Sequence, residues 1–168
     1  MINWIVYLSF LSISLAVYHP IHGNADNWDT IQNSEIWIGH HQDSDINWCR
    51  TKSTLPFDIQ KISFIVEDLE NYYKVFDRVK SSKLIDSSTV HIRIDMPFPI
   101  SDRDYIVRYK ENKKGSTYSY KFESVKDNSI PNDEGCVRLV NAAGEWHLKS
   151  ITESSTEVSY TWNGTTYN

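Results

Sequence analysis

The sequence feature best suited to binding a polar group is the pair Arg103-Asp104. The loop Met96–Ser101 before it contains two prolines, which end the preceding strand. From Arg103 the residues alternate as in a strand, so that Arg103 shares a face with Tyr105 and Val107. A guanidinium on such an apolar face needs an acidic partner, a polar ligand group or trapped water. We expect Arg103 either to meet the polar end of a ligand in a pocket or to pin the loop by pairing with a carboxylate. Asp104 should point outward and cap the loop or pair with a base.

The common local signatures of catalytic and metal sites are missing from the sequence. It contains no G-x-S-x-G elbow, Walker loop, G-x-G-x-x-G or H-E-x-x-H, although a triad dispersed along the chain would leave no such mark. His40 and His41 are neighbours in a predicted strand and point to opposite faces, which disfavours a shared metal ion. We therefore expect no catalytic residues, no metal site and no cofactor.

Composition narrows the classes of partner. The 168 residues amount to one domain, and 40% hydrophobic residues suffice for a core. Aromatic residues make up 13%, and amphipathic rings often line ligand cavities, although they also fill ordinary cores. The net charge of −5 argues against a nucleic-acid partner and against strong electrostatic docking on anionic lipid.

Residues 1–25 resemble an export signal because they contain no Asp, Glu, Lys or Arg, and Trp4–Tyr18 is nearly continuous apolar sequence. We expect cleavage near Ala25 and a secreted or periplasmic protein, with residues 26–168 as its domain. An uncleaved membrane anchor is the alternative, although the apolar run is short for a full span.

Residues 26–168 predict antiparallel strands around one helix, which is typical of a curved sheet of the α+β class. Strands are predicted over residues 35–42, 46–55, 58–67, 83–85, 90–96, 103–111, 116–125, 136–142, 145–152 and 158–162, a helical turn over 26–32, and an amphipathic helix over 68–79.

Several motifs resemble those of START domains, the lipid-transfer domains related to the steroidogenic acute regulatory protein. The segment Pro97-Phe-Pro-Ile-Ser-Asp-Arg-Asp-Tyr105 is similar to the family's Pro-x-Pro-x-x-x-Arg-Asp-aromatic signature. Further resemblances are Trp28 before Ile36-Trp-Ile-Gly39, Gly135-Cys-Val-Arg138 followed by Gly144-Glu-Trp146, and Ser155-Thr-Glu-Val-Ser-Tyr-Thr161. Together they cover roughly residues 26 to 163 in the family's order.

The resemblance implies the helix-grip fold, in which a long C-terminal helix lies across the sheet and closes a lipid-sized cavity. The sequence given ends at Asn168, so we expect a START-like domain that is a fragment, lacks this lid helix or has it replaced by another chain. The family's sheet order also separates the strands of Cys49 and Cys136, which implies two thiols instead of a disulfide. The Arg-x-x-Trp-Asp motif of phosphatidylcholine-selective members corresponds to Tyr73–Asp77, which has no arginine.

We expect binding of a single lipid or sterol-like molecule without catalysis, which could extend to transfer with transient membrane contact. The loop Met96–Ser101 is a candidate lid. The residues expected to line the cavity are Ile92, Ile94, Met96, Arg103, Tyr105, Val107, Tyr118, Tyr120, Phe122 and Tyr160. One alternative is a helix-grip enzyme of the cyclase or hydrolase type, and another is an interaction module whose groove binds a partner's helix.

Overall fold

The computed structural model describes residues 28–43, 46–132 and 134–164, so the expected export signal at residues 1–25 lies outside the described residues. The strands are β1 (Asp29–Asn33), β2 (Trp37–Asp43), β3 (Ile46–Leu55), β4 (Val79–Leu84), β5 (Thr89–Ile94), β6 (Asp102–Lys114), β7 (Thr117–Ser124), β8 (Cys136–Arg138), β9 (Ala143–Thr152) and β10 (Ser155–Asn163). The helices are α1 (Ile59–Glu67) and a 3-10 helix (Leu69–Lys74).

These ten strands form one curved sheet in the order β1-β2-β3-β10-β9-β7-β6-β5-β4. Neighbours in this order pair antiparallel, and the short β8 pairs in parallel with β6. We call the side that carries Tyr105, Phe122 and Tyr160 the inner face, and the other side the outer face. The α+β sheet predicted from the sequence is confirmed, with α1 and the 3-10 helix packed on the inner face.

The prediction of a strand over residues 58–67 is wrong, because the segment forms the helix α1 with Asp58 as its N-cap. Ile62, Phe64 and Val66 do alternate, but Phe64 is 72% exposed while Ile62 and Val66 are buried. The buried residues therefore follow the helical spacing, four apart. The carboxylate of Asp58 begins the helix by accepting a hydrogen bond from the backbone N–H three residues on, at 2.8 Å.

The helix predicted over residues 68–79 is shorter than expected. It ends at Lys74 as a 3-10 helix, inside which Asn71 leaves the helical region, and Val79 already pairs with Ile94 as the start of β4. The strand predicted over 83–85 is thus the end of a longer one.

The helical turn predicted over residues 26–32 is wrong for its described part, because Asp29–Asn33 pairs with β2 as strand β1, and residues 26 and 27 lie outside the described residues. The apolar spacing from Trp28 to Ile31 covers only one turn, which is too short to decide between helix and strand. Trp28 itself is buried against Trp48 on the outer face.

Two inner-face clusters form the part of the core that supports the site. One joins the 3-10 helix to β5, β6 and β7 through Leu69, Val90, Val107 and Phe122. The other joins α1 to β7 and β9 through Ile62, Tyr120, Leu148 and neighbours. The thiols of Cys49 and Cys136 are partly buried on strands that are not neighbours, as the resemblance implied. Within the described ranges, no helix is long and apolar enough to cross a membrane.

Candidate ligand-binding cavity

An apolar cavity of about 380 Å³ lies on the inner face. Its walls come from strands β5, β6, β7 and β10, from the residue before β4, and from the segment between β8 and β9. The lining residues are Arg78, Ile94, Tyr105, Phe122, Leu139, Ala142, Tyr160, Trp162 and Asn163. An engineered cavity of about 150 Å³ suffices for benzene, so this cavity has room for a ligand of two or three rings or a folded acyl chain.

Aromatic packing behind the cavity holds its walls in place. Tyr160 lies 4.2 Å from Trp146 and 6.1 Å from Phe122, measured between ring centroids. Trp146 in turn stacks on Phe76, which follows the 3-10 helix. Gly144 permits this arrangement, because a Cβ there would overlap the ring of Phe122 and the carbonyl oxygen of Thr161. The walls are therefore fixed by contacts made outside the cavity.

Arg78 is the only charged side chain among the described lining residues. Its backbone carbonyl accepts a hydrogen bond from the N–H of Asp95 at 2.7 Å, which fixes the backbone at this point. The side chain is exposed and makes no ion pair with another described residue. Trp162, also in the wall, is 42% exposed, so these two side chains mark the mouth of the cavity.

The titratable groups farther inside are the phenols of Tyr105 and Tyr160. Loss of hydration raises the pKa of Tyr105 well above its ordinary value. Burial raises the pKa of Tyr160 in the same direction, and the neighbouring phenols, Tyr105 among them, add to the shift. Both groups therefore remain protonated hydrogen-bond donors across the neutral pH range.

Four of the ten residues predicted to line the cavity are in its wall: Ile94, Tyr105, Phe122 and Tyr160. Ile92 and Val107 are 1% and 0% exposed and belong to the core beneath it. Tyr120 faces a separate cavity near α1, and Tyr118 packs beside the α1 cluster. Met96 lies in the loop before β6, and Arg103 is the second residue of that strand.

Arg103 does not line this cavity. Its Nη1 donates a hydrogen bond to the carbonyl oxygen of Ser101 at 2.6 Å, so the guanidinium fixes the loop through the backbone and not through a carboxylate. The side chain is only partly buried. The cation in the cavity wall is Arg78 instead. The sequence does not predict this residue as part of the wall, because its apolar spacing predicts one helix over residues 68–79.

Asp104 lies on the outer face, as predicted, but it is completely buried. Its Oδ2 accepts hydrogen bonds from Arg138 Nε and His91 Nε2, both at 2.8 Å. Arg138 also donates to the carbonyl oxygens of Ile130 and Pro131. Burial alone would raise the pKa of Asp104, but these hydrogen bonds outweigh it and hold the pKa below its ordinary value. The carboxylate thus ties β5 and the segment after β7 to the middle of the sheet.

Asp102 anchors the proline-rich loop from its other end. It accepts hydrogen bonds from Lys80 Nζ at 2.9 Å and from Arg93 Nη2 at 2.9 Å, and its Oδ1 accepts from the N–H of Met96. The hydrogen bonds from Lys80 and Arg93 lower the pKa of Asp102 to about 2. The tip of the loop is free of these contacts, and Phe98 there is 98% exposed.

The wall also contains residues that the sequence reasoning did not select: Arg78, Leu139, Ala142, Trp162 and Asn163. The position of Trp162 in the wall could be predicted from the sequence, because it alternates with Val158 and Tyr160 along one strand and so shares a face with them. Leu139 and Ala142 lie between β8 and β9, where no periodic pattern predicts which way a side chain points. Among the residues that the structure describes, no group of three or more His, Cys, Asp or Glu side chains is arranged to hold a metal ion.

No protein-family model matches the chain. An uncharacterized protein of Pseudomonas aeruginosa is 22% identical over 159 residues, which cover 89% of this chain and 79% of that protein.

Several solved structures share the fold of this chain. The STAR-related lipid transfer protein (fragment 25–204) from Xanthomonas axonopodis superposes with a TM-score of 0.72 at 20% identity, covering 83% of this chain and 85% of that one. Human STARD10 gives 0.73 at 14% identity and 85% coverage, and this chain spans 62% of its length. The Zhui aromatase/cyclase from Streptomyces sp. R1128 gives 0.55 at 12% identity, covering 72% and 68%.

At identities of 20% or less, these likenesses establish the fold. The two higher scores belong to START proteins, and the sheet order and the inner-face cavity agree with the architecture that the sequence motifs implied. The chain therefore has the START-like helix-grip fold.

Proposed function

We propose that this protein binds a single hydrophobic molecule of lipid or sterol-like character in the inner-face cavity and does not transform it chemically. The observation that carries the proposal is the cavity itself, about 380 Å³ in volume, with aromatic and aliphatic walls and one cation at its mouth. Such a space favours an apolar body with a polar or anionic group beside Arg78.

The size of the cavity sets the scale of the affinity. Each methylene group removed from water contributes about 0.8 kcal/mol. Eight to ten buried methylenes therefore supply about 6–8 kcal/mol, which corresponds to affinity near the micromolar range before ordering costs are subtracted. This is a suitable range for a carrier that must also release its ligand.

The chemistry of the wall supports binding over catalysis. A general base works best when its pKa lies near the working pH. Burial raises the pKa of the phenols of Tyr105 and Tyr160, so both lie far above neutral pH. These groups can orient a ligand but are poorly suited to accept a proton from it. The likeness to an aromatase/cyclase keeps an enzyme as the second candidate.

Transfer between membranes is a further part of this proposal. The side chain of Phe98 is 98% exposed and that of Ile100 is 46% exposed in the loop between β5 and β6. An exposed aromatic ring on a surface loop is well suited to transient contact with a lipid interface. The uncharged residues 1–25 support export to a periplasmic or extracellular location.

The test is lipid extraction from the purified protein followed by mass spectrometry, together with uptake of a fatty acid, a sterol and a phospholipid from vesicles. The variant Ala142→Phe should fill the cavity and reduce uptake, whereas Ser81→Phe, which adds the same ring at an exposed position of β4, should not. A wild-type protein that takes up none of the three lipids would contradict the proposal. Chemical change of the bound molecule would favour the enzyme, and a stable complex with another chain would favour the interaction module.

A further inference from the structure

Two phenol groups in the cavity wall have no hydrogen-bond partner among the described residues. They belong to Tyr105 in β6 and Tyr160 in β10. Two other tyrosines of the inner face differ, because Tyr72 donates to the carbonyl oxygen of Val66 at 2.6 Å and Tyr120 donates to Oε1 of Glu67 at 2.5 Å. Tyr105 and Tyr160, which line the cavity, thus lack the protein acceptors that Tyr72 and Tyr120 have.

A tyrosine hydroxyl inside a protein normally finds an acceptor, because an unpaired buried donor is costly. The rings of Tyr105 and Tyr160 pack against the same core cluster, yet both side chains are only partly buried because they border the cavity. The packed side of each ring is closed by protein atoms. A molecule in the cavity is therefore placed to supply the acceptor that the described residues do not offer these hydroxyls.

The surroundings indicate which kind of acceptor fits. Burial raises the pKa of both phenols, and the phenol of Tyr105 adds to the shift of the pKa at Tyr160. A carboxylate beside them would lose its hydration without a cation nearby, because Arg78, the charged group of the described wall, is exposed at the mouth. A neutral oxygen avoids this cost and still accepts both hydrogen bonds.

We propose that the cavity selects an amphiphile whose buried end carries a neutral hydrogen-bond acceptor, such as a ketone, ester or alcohol oxygen, bound by the hydroxyls of Tyr105 and Tyr160. This inference rests on the proposed function, since it specifies the ligand of the same cavity. It assigns the two phenols a role in specificity, with the apolar walls supplying most of the affinity.

The experiment compares cyclooctanone with cyclooctane, which share a ring size and differ in one carbonyl group. Displacement of a fluorescent naphthalenesulfonate dye from the cavity reports the affinity of each. We expect the double variant Tyr105→Phe with Tyr160→Phe to bind cyclooctanone about tenfold more weakly than wild type. Its affinity for cyclooctane should stay within about twofold, because the hydrocarbon makes no hydrogen bond. Tyr118→Phe, outside the cavity wall, is the matched control and should bind both ligands as wild type does.

The outcomes separate this inference from the proposed function. Equal affinity of wild type and double variant for cyclooctanone, with cyclooctane still bound, would overturn the inference and leave hydrophobic binding intact. Failure of the dye and both ring compounds to bind wild type would overturn both. If thermal unfolding shows that the double variant is not folded, the single variants decide by the same criterion, each with an expected loss of about threefold for the ketone alone.

Discussion

The buried carboxylate of Asp104 is a determinant of stability outside the apolar core. It is 0% exposed and accepts hydrogen bonds from Arg138 and His91, while Arg138 reaches on to the carbonyl oxygens of Ile130 and Pro131. Replacing Asp104 with Ala removes the acceptor and leaves the guanidinium of Arg138 without its counter-charge. We expect this variant to be severely destabilised.

The magnitude follows from the burial of both partners. The side chain of Arg138 is only 13% exposed, so water cannot replace the lost carboxylate at little cost. Removing one member of a buried ion pair typically costs about 3–5 kcal/mol. Domains of this size have a free energy of unfolding of about 5–15 kcal/mol, so Asp104→Ala should lose a large part of it. Replacing both members with apolar residues, Asp104→Leu with Arg138→Met, should cost less than the single change.

Urea denaturation followed by circular dichroism measures these differences, provided that the slope with denaturant stays constant. The control is Asp86→Ala, since Asp86 is an exposed carboxylate that accepts hydrogen bonds from Ser88 and Thr89 within its own turn. It should lose far less stability. A loss below about 1 kcal/mol for Asp104→Ala would refute the reasoning, because such a value is typical of surface ion pairs.

The pH dependence provides a second measurement of the same interaction. The hydrogen bonds from Arg138 and His91 outweigh burial and lower the pKa of Asp104 in the folded protein. A lowered pKa contributes stability that is fully present above the unfolded-state value of about 3.9 and is lost as pH falls through the folded-state value. The stability difference between wild type and Asp104→Ala should therefore be constant near neutral pH and shrink below about pH 4.

Three further predictions follow from the cavity and its neighbours. Gly144→Ala should destabilise the fold by about 1–3 kcal/mol in urea, because the added methyl overlaps Phe122 and the carbonyl of Thr161; unchanged stability would contradict that overlap. Trp162 should report ligand entry by a blue shift of its emission, and Trp162→Phe should abolish most of that shift while the ligand still binds. Phe98→Ser should slow ligand transfer between vesicles but leave the affinity for a soluble ligand unchanged; equal transfer rates would remove the loop from the mechanism.

The strand pairs were predictable because their alternation extends over many residues. In β5, Val90 and Ile92 are buried in the core as the alternation predicts, and β6 and β7 form a hairpin that turns at Gly115, between the two predicted strands. The segment that became α1 was not predictable in this way. Ile62 and Val66 satisfy both a two-residue and a helical period, and only the exposure of Phe64 shows which one the fold uses.

The polar group of the cavity could not be located from periodicity alone. Register does place Arg103 opposite Ile94, at the end of β5, but the carbonyl oxygen of Ser101 lies within reach and holds its guanidinium at the loop. Arg78 reaches the wall because β4 pairs with β5 beside it, so that Val79 also lies opposite Ile94. Such placement depends on contacts between distant segments, which a local sequence pattern does not encode.

The alternation of β6 links the stability of the outer face to the shape of the cavity. Asp104 is fixed on the outer face by His91 and Arg138, and Tyr105, the next residue, must then project from the inner face into the cavity wall. The ion pair therefore sets the depth and direction of a phenol that it never touches. It follows that Asp104→Ala should weaken ligand binding even at temperatures where the variant stays folded. A folded Asp104→Ala protein with wild-type affinity would show that Tyr105 is positioned by the inner-face packing alone.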